Sequence, residues 1–124
     1  MTQSFARSRQ RIQAVAALGE ALDRMEAMIT QETALLRENR AVELADFNFR
    51  KHHGLLEINR ILRVFEREDF AAMERLRIER LVEKIEENQV VLAFHLKAVD
   101  EIASLVARAM QMAESDGTYG RGGI

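Results

Sequence analysis

The most regular feature of the chain is a spacing of apolar residues by three and four positions in three long segments. Such spacing places the apolar residues on one face of an α-helix that packs against a partner helix. We predict the first helix over residues 8–39. Its apolar face carries Val15, Leu18, Leu22, Met25, Ile29 and Leu36, and Glu32 takes the remaining position. A flanking row of alanine, methionine and leucine widens this face, which favours a helical bundle over a two-stranded coil.

The pattern loosens at residues 38–41, and a turn is predicted there. Asn39 is one of the few residue types that tolerate the left-handed conformation that ends helices. A second helix is predicted over residues 42–66, and Lys51 lies among its apolar positions. These positions are Leu44, Phe47, Leu55, Ile58, Leu62 and Phe65.

Glu32 and Lys51 are the charged residues within the two apolar faces. They lie at similar distances from the predicted turn, so antiparallel helices would bring them to the same height. We predict a partly buried ion pair that fixes the register of the hairpin. The alternative, which the sequence leaves equally open, is that both side chains reach the surface.

The third periodic segment, residues 70–114, is the longest. Its three-four pattern runs without a miss through Ile78, Leu81, Ile85, Asn88, Leu92, His95, Val99, Ile102 and Val106. Asp69 is a candidate N-cap, although a helix continuous with the second one is also compatible with the sequence. A helix of this length would span roughly 65 Å against about 40 Å for the second, so we expect it to extend past the hairpin. Gly117 would end it, leaving a flexible glycine-rich tail over residues 117–124.

The composition supports an all-α fold, because the chain contains no proline to interrupt helices. The predicted architecture is an antiparallel helical hairpin plus a long third helix, an elongated three-helix bundle or coiled coil within residues 1–116. The net charge of −2, with interspersed signs, argues against a nucleic-acid partner despite the small basic cluster of Arg7, Arg9 and Arg11. Neither a signal peptide nor a membrane-inserting segment is evident, so we expect a cytoplasmic location.

The sequence offers little chemistry for catalysis. Cysteine is absent, which excludes thiolate catalysis and disulfides. His52 and His53 are adjacent and would point about 100° apart on a helix, and His95 lies far from both, so no metal site is predicted. No phosphate-binding loop or hydrolase motif occurs. We therefore expect neither a cofactor nor enzymatic activity.

Two features suggest recognition of a partner. The stretch from Val90 to Met112 combines large apolar residues with interleaved alanines, a surface that lets another helix approach closely. Burial in the protein's own core or in a homodimer explains this stretch equally well. Asn88 and His95 are polar positions of the same seam, of the kind that fixes register. Tyr119, the single tyrosine, lies in the glycine-rich tail and could dock into a pocket.

The order of these features resembles the FlgN-type flagellar type III export chaperones. The similar segments are ITQETALL at residues 29–36, KHHGLL at 51–56 and DGTYGRGG at 116–123. The aromatic and histidine residues Phe47, Phe49, His52 and His53, and Gly54, have no counterpart in that family pattern.

The resemblance implies a cytoplasmic chaperone that binds the helical termini of hook–filament junction proteins. It would prevent their premature assembly and deliver them to the export gate. The client-binding residues carried over are Leu92, Val99, Ile102, Val106 and Met110, and Tyr119 would dock at the export-gate component. Two alternatives stay open at this point: a chaperone of another secretion system, and a homo-oligomeric coiled-coil structural or adaptor protein.

Overall fold

A computed structural model describes the backbone of residues 2–65 and 71–122 and the side chains of residues 5–65 and 71–115. It contains three helices: α1 (Thr2–Arg37), α2 (Leu44–Leu62) and α3 (Ala72–Gly122). No strand occurs in the described ranges, and the prediction of an all-α fold with a long third helix is confirmed. The backbone turns at residues 63–64, so α2 and α3 are separate helices. The N-cap predicted at Asp69 lies outside the described residues.

The turn between α1 and α2 is built on Asn39, whose φ of 55° is the one positive value among the described non-glycine residues. The amide of Arg40 donates to the carbonyl of Leu35 at 3.0 Å, and the amide of Asn39 donates to that of Leu36 at 3.2 Å. This pair of hydrogen bonds is the Schellman motif, which satisfies the last carbonyls of a helix and reverses the chain. The turn therefore lies where the sequence predicts it, for the reason predicted.

The left-handed conformation of Asn39 determines which substitutions at this position should lower the stability of the protein. A left-handed residue with a Cβ costs roughly 1–2 kcal/mol, a cost that asparagine reduces and glycine avoids. We expect Asn39→Ala to lower the free energy of unfolding by about 1 kcal/mol and Asn39→Gly to leave it equal or slightly higher. Urea denaturation of the two variants measures this difference. An alanine variant as stable as the glycine variant would contradict the proposed cap.

The core of residues 1–91 lies mainly between α1 and α2, whose backbones approach closely. Its buried residues from α1 are Leu18, Ala21, Leu22, Met25, Met28 and Ile29, joined by Phe47, Ile58 and Leu81. The core face of α2 differs from the prediction in two ways. Ile61, which the prediction leaves out, packs against the core. Leu55 is 45% exposed, and Gly54 faces the core instead, where an added Cβ would meet Met25 Cε at 2.6 Å. The absent side chain is what allows Met25 to fill this place.

The first part of α3, within residues 72–91, lies alongside α1 and is attached to it by a row of charged side chains. Arg77 contacts Asp23 and also donates to the carbonyl of Gly19 at 3.1 Å. Further along the same row, the ion pairs are Arg80–Glu26 (3.1 Å), Lys84–Glu26 (3.7 Å) and Arg37–Glu87 (2.7 Å). Both the residue numbers along α1 and those along α3 increase through this row, which shows that this part of α3 is parallel to α1.

Residues 92–124 form a second compact unit, in which the structure describes the remainder of α3 up to Gly122. Every side chain from Val99 to Ser115 is exposed. The backbone helix continues to Gly122, past the end predicted near Glu114. The predicted flexible tail, residues 117–124, falls partly within this helix, and its side chains lie outside the described residues, so the tail stays a prediction.

Candidate partner-binding face and buried polar cluster

A cluster of four polar side chains, Glu32, Thr33, Lys51 and Asn88, joins the three helices inside the bundle of residues 1–91. Lys51 Nζ donates to Glu32 Oε1 at 2.7 Å and to Asn88 Oδ1 at 3.2 Å. The Asn88 amide nitrogen donates to Glu32 Oε1 at 2.9 Å and to Thr33 Oγ1 at 3.1 Å. The Thr33 hydroxyl donates a hydrogen bond to the carbonyl of Ile29 at 2.9 Å. We refer to these four residues as the polar cluster.

The polar cluster contains two charged side chains that are largely shielded from water. The side chain of Glu32 is 1% exposed and that of Lys51 is 15% exposed. A buried charge is tolerated when it is paired and hydrogen-bonded, and here each charged group has two partners. Such a cluster contributes less to net stability than to fixing one alignment of the helices.

The structure thus brings together the two residues that the sequence pairs, and it adds a third. The position of Asn88 in the seam of α3 predicts a register-fixing role, but not its bonds to Glu32 and Lys51. Thr33 was not singled out, because a threonine beside an apolar face looks like many solvated ones. The arrangement suits a structural role, because the Lys51 amine is already engaged by a carboxylate and an amide oxygen.

The five residues carried over as client-binding all lie on α3. Leu92 is half-buried, and Val99, Ile102, Val106 and Met110 are between 49% and 61% exposed. Other large apolar side chains of the same side are also exposed: Leu96, Leu105 and Met112. We call these eight residues the apolar face. Phe94 is exposed as well, but it lies on the side of Glu101 and Arg108. Exposed apolar surface of this extent is uncommon on a monomer and usually marks an interaction site.

His95 lies in the seam between Leu92 and Val99. The other charged and polar residues of the same stretch lie on the opposite side of the helix. They are Lys97, Asp100, Glu101, Ser104, Arg108 and Gln111. The distribution gives the helix one continuous apolar side and one solvated side, as in segments that dock against other helices.

The three histidines, all of them in the described part of the chain, do not come together in a second site. His52 and His53 are exposed and His95 is half-buried; the ring of His53 stacks on exposed Phe49 with centroids 6.2 Å apart. Among the residues that the structure describes, no three histidine, aspartate or glutamate side chains converge as a metal site would require. The side chain of Tyr119 lies outside the described residues.

Across the described ranges of the chain, no helix contains a segment that is both long enough and apolar enough to cross a membrane. The chain matches no protein-family model, and neither curated proteins nor solved structures show significant similarity to it. The apolar face and the polar cluster are therefore the two features from which a function can be argued.

Proposed function

We propose that this chain is a cytoplasmic secretion chaperone of the FlgN type. It binds the helical termini of flagellar hook–filament junction proteins through the apolar face, keeps them from assembling early and delivers them to the export gate. The observation that carries the proposal is the uncovered apolar face of α3. The sequence resemblance in residues 29–36, 51–56 and 116–123 supports the choice of client.

The apolar face is large enough for this role. Its eight side chains expose an area on the order of 800 Å², comparable with the roughly 800 Å² that each partner contributes to a standard protein interface. A client terminus that would otherwise polymerise presents an apolar helical stripe of its own. Covering that stripe lowers the concentration of free client by mass action.

The proposal is tested by mixing the purified chain with purified hook–filament junction proteins of the same bacterium. We expect a complex that co-elutes in size-exclusion chromatography. Absence of a complex with every junction protein would overturn the proposal. Light scattering on the free chain and on the mixture tests the rival structural protein, since a stable homodimer indifferent to client would favour that reading.

Client binding and binding to the export-gate component are proposed to use different parts of the chain, so we expect that they can be separated by mutation. Truncation after Ala113, or Tyr119→Ala, is expected to spare client binding and to weaken binding to the export-gate component. The reason is that both changes leave Val99, Ile102, Val106 and Met110 in place. Tyr119→Phe, which keeps the ring, is the matched control. Parallel pull-downs with client and with the export-gate component provide the measurement. Loss of client binding with Tyr119→Ala would show that the two activities are not separable.

A further inference from the structure

The width of the apolar side changes along α3. In heptad notation, Ile78, Leu81, Ile85 and Asn88 occupy the a and d positions of the seam that faces the hairpin. Arg77 and Lys84 occupy the g positions beside this seam, and both are ion-paired with acids of α1. Within residues 77–88 the α1 side of the seam is therefore charged, as in ordinary packing against a neighbouring helix.

The same register places different residues beside the seam in residues 92–115. The g positions are Ala98, Leu105 and Met112, and the e positions on the other side are Leu96, Ala103 and Met110. Every charge of this stretch falls on b, c or f: Lys97, Asp100, Glu101, Arg108 and Glu114. The large side chains of both flanks are exposed, from 48% at Leu96 to 67% at Met112. The apolar side therefore includes the seam and both of its flanks.

A single partner helix covers the a and d positions and leaves e and g at the edge, where charged residues are the rule. Apolar residues on both flanks are the pattern of a helix that is packed by two neighbours. We propose that this part of α3 is covered by two helical segments of one partner at once, one over the g flank and one over the e flank. This inference rests on the proposed function and specifies the form of the client.

The composition of the flanks also indicates which types of residue the two segments present towards α3. Since no charge lies at e or g between Leu92 and Ser115, the segments gain nothing from ion pairs there. Both must present uncharged, apolar residues towards α3. The equivalent helix of a single second copy would cover one flank and leave the other in water.

The test compares one variant on each flank with a variant on the solvated side. Leu105→Gln changes the g flank, Met110→Gln changes the e flank, and Ser104→Gln places the same residue at an f position as the matched control. All three positions are exposed in the free chain, so circular dichroism should show unchanged helix content. Binding to a purified hook–filament junction protein is measured by isothermal titration calorimetry.

If two helical segments cover this part of α3, each flank variant should weaken binding by about tenfold or more, while the control should stay within about twofold of the wild type. A loss confined to one flank would show a single covering helix and overturn this inference while leaving the proposed function intact. Absence of binding by the wild-type chain would instead overturn the proposed function, and this inference would fall with it.

Discussion

Replacing Lys51 by methionine is expected to lower the free energy of unfolding by about 3–5 kcal/mol, because it leaves the buried carboxylate of Glu32 without its counter-charge. The carboxylate is 1% exposed and cannot turn to water without opening the bundle. It would keep only the 2.9 Å bond from the Asn88 amide, which is too little to stabilise a buried charge. Urea denaturation followed by circular dichroism measures the loss.

The reverse change, Glu32→Leu, should cost less. Lys51 is 15% exposed and carries its charge on a long flexible chain, so its amine can reach solvent once Glu32 is gone. Arg24→Met is the matched control. The Arg24–Glu57 pair joins the same two helices at 2.5 Å, but both side chains are about half exposed, and its loss should cost less than about 1 kcal/mol.

A double-mutant cycle separates the pair from the rest of the polar cluster. If Lys51→Met costs no more than Arg24→Met, or if the cycle shows no coupling between Glu32 and Lys51, the buried pair is wrong. The double variant should not regain full stability, because it leaves Asn88 with Thr33 as its remaining cluster partner. Adding Asn88→Leu should recover most of the loss, since an apolar layer no longer strands any polar group.

The second large effect is expected at the centre of the apolar face. Ile102→Glu places a charge in the seam, where a bound client would exclude water. Burying an unpaired charge is costly enough that we expect client affinity to fall by about 100-fold or more, equivalent to at least about 2.7 kcal/mol. Because Ile102 is 60% exposed in the free chain, the substitution should leave the stability of the free protein nearly unchanged.

Gln111→Glu is the control for this experiment, because it adds the same charge on the solvated side of the same helix. Calorimetric titration with a junction protein compares the two variants. Equal affinities for Ile102→Glu and Gln111→Glu would place the client elsewhere on the chain. A lower stability of the free Ile102→Glu chain, without any client, would show instead that this residue belongs to an interface of the chain with itself.

The hairpin was predictable because two local signals agree. The apolar period identifies the helices, and Asn39 identifies the turn; together they set which residues of α1 and α2 lie at equal height, including Glu32 and Lys51. The core face of α2 was predicted wrongly at Leu55. The spacing of apolar residues selects Leu55 because leucine is hydrophobic. Gly54 faces the core because its missing side chain leaves room for Met25. The spacing of apolar residues cannot reveal such room.

The alignment of α3 with the hairpin was not predictable. The sequence of residues 63–71 contains no glycine, proline or asparagine to mark a tight turn and fix the offset, so nothing in the sequence pairs Asn88 with Glu32 or Arg77 with Asp23. The composition of Val90–Met112 predicts an interaction surface but is equally compatible with core, homodimer and client contacts. Its side chains are exposed in the free chain, which removes the core explanation for Val99–Met112 and leaves the other two to the experiments above.

The residues of the polar cluster are also synthesised in a fixed order. Lys51 is 19 residues from Glu32 along the chain, whereas Asn88 is 56 residues from it. Closing the longer loop costs only about 1 kcal/mol more in chain entropy, so loop length hardly decides which contact forms first. We expect the order of synthesis to decide it, because a ribosome adds residues from the N-terminus. Both charged partners of the cluster are present in the nascent chain before Asn88 has been added, so we expect the third helix to join a hairpin in which Glu32 and Lys51 are already paired.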